Sequence, residues 1–238
     1  LTAHAHGAGL RVLSGAADPI NRGNPYLAWR EILRGMLGIS AGEPASMATL
    51  AVAQQLDSNL GMARFAPLLN MVLPFGIPET PLTEEMSGEV RAENLRRLFA
   101  HLLLKLAASE PVVIILDDAH WMDSSSLELT ADVAAVGAPL LFVVGTRRSD
   151  GPAHAAISRL GDVRDAHRIV LDGMSEDDTG ALIQNALGVR RVPRELVETI
   201  FQRSGGNPFF CEELVRTLRN AGSIHVDDNV CEVGNLQL

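Results

Sequence analysis

Asp117 and Asp118 close an unbroken apolar run, Val112-Val113-Ile114-Ile115-Leu116, and lead into Ala119-His120-Trp121-Met122-Asp123. Adjacent carboxylates offer hard anionic oxygens, the donor type suited to a magnesium ion that is itself bound to phosphate. A second apolar run, Leu140-Leu141-Phe142-Val143-Val144-Gly145, ends in Thr146, Arg147 and Arg148. A hydroxyl beside planar guanidinium forks suits phosphate oxygens, although taken alone this charge pair equally suits a solvated strand end.

Elements must hold these groups in place. Five apolar, mostly β-branched residues in a row predict a strand buried on both faces, which belongs in a parallel sheet covered by helices. Ligands of such sheets sit beyond the carboxyl ends of the strands, where Asp117 and Asp118 fall. A strand also stops at Asp simply to turn, and here Asp123, Ser124 and Ser125 are all good helix caps, with Ser125 and Glu128 fitting a capping box for a helix through Leu127, Leu129 and Val133. The second apolar run predicts another buried strand.

Upstream, residues 4–9 read as the tail of a helix ending in glycine, and residues 10–15 as a short strand. Pro25 suits the first turn of a helix whose apolar face is Tyr26, Trp29, Ile32, Leu33, Met36 and Leu37. Residues 39–87 are broken by glycine and proline and read as a mainly helical insertion on the rim, with little chemistry in it. Residues 89–108 form a strong helix with Val90, Leu95, Leu98, Phe99, Leu102, Leu103 and Leu106 apolar and arginines on the other side. Residues 168–174 predict a third strand. Composition then changes, with helices starting at Ser175, Pro193 and Pro208. The expected organisation is an incomplete α/β domain over residues 1–174, a helical lid over 175–222 and the start of a following segment over 223–238.

Composition excludes several classes. A net charge of −9 and the absence of any basic run argue against a nucleic-acid surface. No apolar run approaches a membrane span and the first residues do not form a signal peptide, so a cytoplasmic location is expected. Cys211 and Cys231 make neither a disulfide framework nor a metal set, and His4 with His6 has no third ligand nearby. Lys105 is the sole lysine among 20 basic side chains, lies in an apolar helical stretch, and follows no glycine. The chain therefore contains no G-x-x-x-x-G-K-[ST], the loop whose backbone N–H groups and lysine cradle a triphosphate. Arginine in place of lysine points to a GC-rich bacterial genome.

Three stretches taken together, residues 112–129, Gly145-Thr146-Arg147-Arg148, and Arg203-Ser204-Gly205-Gly206-Asn207-Pro208-Phe209-Phe210-Cys211-Glu212-Glu213-Leu214, resemble the AAA-type ATPase module of STAND signal-transduction NTPases. Relatives of this pattern occur beside class III adenylate or guanylate cyclase domains and in large LuxR-type regulators. The resemblance implies a parallel-sheet, P-loop-NTPase-like α/β fold of sheet order 5-1-4-3-2 followed by a helical lid. It implies ATP and Mg²⁺ as cofactors, Asp117 as the Walker B aspartate that positions Mg²⁺ through water, and Asp118 as the acid that orients the attacking water. Thr146 and Arg148 are implied as the sensor, with Arg147 competing for that role. Gly206-Asn207-Pro208 matches the lid motif whose proline packs near adenine. The first strand and P-loop would precede Leu1, so this chain is expected to start partway into a larger protein, with its other domains as partners and homo-oligomerisation on activation.

Three functions follow from this. The first is the ATP-binding, ATP-hydrolysing regulatory module of a multidomain signalling protein, inactive as this chain alone. The second is a degenerate, non-hydrolysing scaffold domain. The third is part of a DNA-binding LuxR-type transcriptional regulator, which the acidic charge disfavours for these residues.

Overall fold

The computed structural model describes residues 2–40, 42–43, 45–56, 60–137, 139–147, 152–161, 165–227 and 229–234. The chain divides between His167 and Arg168 into two units. In the first, a short helix α1 (Thr2–Gly7) precedes strand β1 (Arg11–Ala16), and a 3-10 turn at Leu27–Trp29 runs into α2 (Arg30–Leu37). Helices α3 (Ala45–Leu56), α4 (Leu60–Ala63) and α5 (Pro81–Glu84) follow, then the long α6 (Gly88–Ser109). Strand β2 (Val112–Asp117), α7 (Ser124–Ala135), β3 (Leu140–Val144) and α8 (Pro152–Leu160) complete it.

The three strands form one parallel sheet in the order β1-β2-β3. Ala16 pairs with Asp117, and Leu116 with Val144, so all three strands reach their carboxyl ends at one level. This is the expected α/β architecture. The β2 strand lies in the middle and is the most apolar: Val112, Val113, Ile114 and Leu116 are all buried. The expectation of full burial fails for β3, where Leu141 is 54 % exposed. An outer strand has a neighbour on one side alone, so its apolar residues are covered less completely.

Trp29 is the largest fully buried side chain of the core. Its ring meets Phe99 edge-on with centroids 5.7 Å apart and stacks on Phe142 at 6.3 Å. Its indole N–H donates to Thr130 Oγ1 at 3.1 Å, so the polar tip is satisfied as well. Residues 39–87 do not form a separate rim lobe. Val52, Leu56, Leu68, Leu69, Val72, Leu73 and Phe75 join the same core as the sheet, because glycine and proline interrupt helices without removing apolar side chains from burial.

Two local expectations are corrected. The helix does not begin at Pro25: Tyr26 takes a left-handed backbone, φ 59°, and a 3-10 turn precedes α2. That conformation is strained for a bulky residue, and burial of the ring to 2 % exposure offsets it. The cap of α7 is Asp123 rather than Ser125. Its carboxylate accepts from the Ser126 N–H at 2.9 Å and from the Ser126 hydroxyl at 2.6 Å. Glu128 instead reaches across to Arg96 of α6 at 3.2 Å. Asp123→Ala is expected to lower stability by about 1–2 kcal/mol, read as a shift in the urea midpoint, because both donors of a buried serine lose their acceptor.

The second unit holds α9 (Glu176–Leu187), α10 (Arg194–Ser204), α11 (Pro208–Asn220) and a hairpin of β4 (Ile224–Asp227) and β5 (Val230–Val233). Ser175 and Asp178 form a reciprocal capping box at the start of α9, and these hydrogen bonds hold the Asp178 carboxyl below its usual range. Ile183, Leu196, Ile200, Val215 and Leu218 make the core. Ile224 and Cys231 of the hairpin join that core, so residues 223–234 pack with the helices that precede them.

Residues 168–174 do not form the expected strand among the described residues. They join no ladder, and Ile169 and Leu171 are 82 % and 89 % exposed. Apolar β-branched composition makes a segment competent for a sheet, but only a neighbouring backbone makes it a strand. The segment is tied by Met174, whose N–H donates to Gly206 O at 2.8 Å.

Candidate functional site

The carboxyl ends of the three strands are locked together by backbone bonds. Gly145 N–H donates to Leu116 O at 2.8 Å, Ala119 N–H to Gly145 O at 2.9 Å, and Ala17 N–H to Asp117 O at 3.1 Å. Asp117 is exposed on this rim, and its Oδ1 accepts the Asp118 N–H at 2.8 Å. Gly145 leaves room for this carboxylate: a Cβ at this position would stand 2.7 Å from Asp117 Oδ1, so the side chain would have to move. The sheet thus brings together Asp117, Asp118 and the turn that begins at Gly145. Thr146 and Arg147 are exposed on that turn, and Arg148 lies outside the described residues.

Asp118 adopts a left-handed backbone, φ 51°. Strain of this kind in a residue with a Cβ is kept where surrounding contacts over-determine it. The Asp118 N–H donates to Asp117 Oδ1 and its carbonyl accepts the Trp121 N–H at 2.8 Å, and beside it stands His120, whose side chain is 6 % exposed. Its Nδ1 lies 3.9 Å from Asp118 Oδ1 and accepts the Arg147 N–H at 3.4 Å. On the far side the loop after β1 closes in, with the Arg22 guanidinium 3.6 Å above the Trp121 ring centroid. Sequence reasoning passed over Arg22, His120 and Trp121. The adjacent His-Trp pair directly after the acids was the available signal, but nothing in the sequence joins Arg22 to it.

Gly206, Asn207 and Pro208 belong to the second unit. There Gly206 is buried with φ 75°, the Asn207 side chain caps α11 by accepting from Phe209 N–H at 3.0 Å, and Pro208 occupies the first helical position. Buried Ser204 steadies the turn, its hydroxyl accepting from Gly206 N–H at 3.2 Å and from the Cys211 thiol at 3.1 Å. Each residue of this motif therefore has a local structural task.

Comparison with known proteins bears on this rim. The family described as AAA ATPase domain matches residues 1–144, a span that holds all three strands and both aspartates. The chain belongs to the AAA ATPase domain family. A domain of unknown function matches residues 175–232. Adenylate cyclase type 10 of Mus musculus is 25 % identical over 155 residues, covering 65 % of this chain and 10 % of that protein. The Homo sapiens protein of the same name is 25 % identical over 157 residues, covering 66 % and 10 %. Uncharacterized protein R02095 of Rhizobium meliloti is 28 % identical over 126 residues, covering 51 % and 12 %. The chain spans about a tenth of the length of these relatives. No solved structure matches it.

An AAA ATPase domain implies nucleotide binding, typically with Mg²⁺, and the residues present fit one half of that requirement. Exposed Asp117, beside a residue without a Cβ, offers hard oxygens to a hydrated cation. The phosphate half does not fit, since none of the 238 residues makes a G-x-x-x-x-G-K-[ST] loop. Lys105 cannot substitute for the missing lysine. With Arg11, Gln55 and Glu110 it lines a cavity of about 300 Å³ at the amino-terminal ends of β1 and β2, and it donates to Gln55 O at 2.5 Å. That is the opposite edge of the sheet from the aspartates. Among the described residues no helix is long and apolar enough to cross a membrane, and no group of three His, Cys, Asp or Glu is arranged to hold a metal ion alone.

Proposed function

We propose that this chain is the nucleotide-responsive regulatory part of a multidomain signal-transduction protein, of the STAND type, lacking within its own residues the phosphate cradle needed for tight binding. The observation that carries this reading is the rim at the ends of β1, β2 and β3. It sets Asp117 in the open and Asp118 in a held, left-handed conformation beside the Thr146–Arg147 turn. In this reading Asp117 positions Mg²⁺ through water, which supplies charge neutralisation at the phosphates. Asp118 orients the attacking water. Thr146 and the arginines at 147 and 148 read the outer phosphate, and Gly206-Asn207-Pro208 is the motif by which the second unit counts as a lid. Similarity to part of adenylate cyclase type 10 supports a place within a larger signalling chain. The acidic net charge weighs against direct DNA binding by these residues.

The reading predicts a null result and a positive one. Titrating this chain with Mg²⁺-ATP should give no saturation below about 100 μM and no phosphate release, because Mg²⁺ is ordinarily held jointly by protein and substrate phosphates. Tight binding by the chain would overturn that half. The genomic sequence upstream of Leu1 is expected to encode G-x-x-x-x-G-K-[ST]. In the protein that includes it, Asp118→Asn should cut turnover by about 10²-fold or more while ATP binding persists. An upstream sequence without that loop, or a protein that binds ATP but never turns it over, would favour the non-hydrolysing scaffold instead.

A further inference from the structure

We propose that His120 is a positioning residue, a two-position link that joins the Arg147 turn to the Asp118 carboxylate. Its Nδ1 stands between a donor and an acceptor, 3.4 Å from Arg147 N and 3.9 Å from Asp118 Oδ1. A ring nitrogen carries either a lone pair or a proton, so it serves one neighbour at a time. While Nδ1 accepts the Arg147 N–H it has no proton, and its lone pair faces the Asp118 carboxylate unfavourably.

The ring proton then sits on Nε2, which is buried and has no hydrogen-bond partner. A buried N–H without an acceptor is the costlier kind of orphan, so the Arg147 N–H is what holds the arrangement shown against its alternative. In that alternative Nδ1 carries the proton and donates to Asp118. An anionic oxygen that takes over the Arg147 N–H at the end of β3 releases Nδ1 to make this switch. Occupancy of the strand-end turn thereby sets the orientation of the Asp118 carboxylate. Trp121, whose ring centroid lies 4.7 Å from that of His120, limits the imidazole to this choice by holding its plane. The identity of the anion as a phosphate oxygen rests on the nucleotide reading above, whereas the link itself does not.

The test uses the whole chain without nucleotide. Long-range ¹H–¹⁵N correlation spectra of His120 at pH 8, above the ordinary imidazole range, should show the Nε2–H tautomer in the wild-type chain. Arg147→Pro deletes the donating N–H and should shift His120 to the Nδ1–H tautomer, while Arg147→Ala keeps the N–H and should leave it unchanged. In Arg147→Pro with Asp118→Ala the shift should be lost. A folded Arg147→Pro chain that retains Nε2–H, or a wild-type chain already in the Nδ1–H form, overturns the proposal.

Should the proline variant fail to fold, amide exchange decides. Exchange at Arg147 should speed up in His120→Ala but not in His120→Asn, whose Oδ1 replaces the accepting nitrogen. Equal rates in the two variants would sink the link. Because no nucleotide is added, failure here and failure of the nucleotide reading register in separate experiments.

Discussion

Trp29→Ala is expected to lower the unfolding free energy of the first unit by about 4 kcal/mol, the range for removing a fully buried large aromatic side chain. The residue is 0 % exposed, and three separate elements lean on it: Phe99 of α6, Phe142 of β3 and Thr130 of α7. Truncation leaves a cavity between sheet and helices that no one of these can fill alone. Trp29→Phe keeps the aromatic contacts but loses the indole N–H, so a smaller cost of about 1–2 kcal/mol is expected. Both can be read by urea titration followed through Trp121, the other of the two tryptophans. A Trp29→Ala midpoint equal to that of the wild-type chain would show that the core is not built around this ring.

Gly206→Ala should destabilise the second unit by about 3 kcal/mol, combining the left-handed penalty for an L side chain with overlap against backbone. At φ 75° the added Cβ would lie 2.5 Å from Met174 O and 3.0 Å from Met174 N. Relieving that overlap pulls apart the Met174 N–H···Gly206 O bond that anchors residues 168–174. Gly188→Ala is the control. Gly188 caps α9 at φ 69° with nothing within 4 Å, so it reports the conformational penalty alone, about 1–2 kcal/mol. Equal losses in the two variants would mean that the close approach at Met174 carries no energy. The comparison also guards the functional reading: any loss of nucleotide response in a Gly206 variant must first be separated from unfolding of the unit that holds it.

Where sequence reasoning succeeded, it read local and periodic information. The run from Val112 to Asp117 was legible as a strand buried on both faces, because five consecutive apolar side chains alternate to both faces and each face must be covered. The starts of the helices after Ser175, Pro193 and Asn207 were visible because capping chemistry and proline geometry are written in adjacent residues. Where it failed, the deciding partner lay far along the chain. Residues 168–174 have strand composition but no ladder in this structure. Residues 39–87 have loop-like punctuation but, among the described residues, donate eight buried side chains to the central core.

The sequence by itself determined the acidic end of β2, the absence of a lysine-bearing phosphate loop in these residues, and the order of the α/β part and the helical part that follows it. These follow from residue type and spacing, which need no knowledge of contacts. Only the tertiary structure decided that Asp118 is held left-handed, that His120 stands between it and Arg147, and that Arg22 covers Trp121 from the loop after another strand. The register of a parallel sheet is what aligns those loops, and in a parallel sheet the partners that set it are supplied by crossovers from distant parts of the chain.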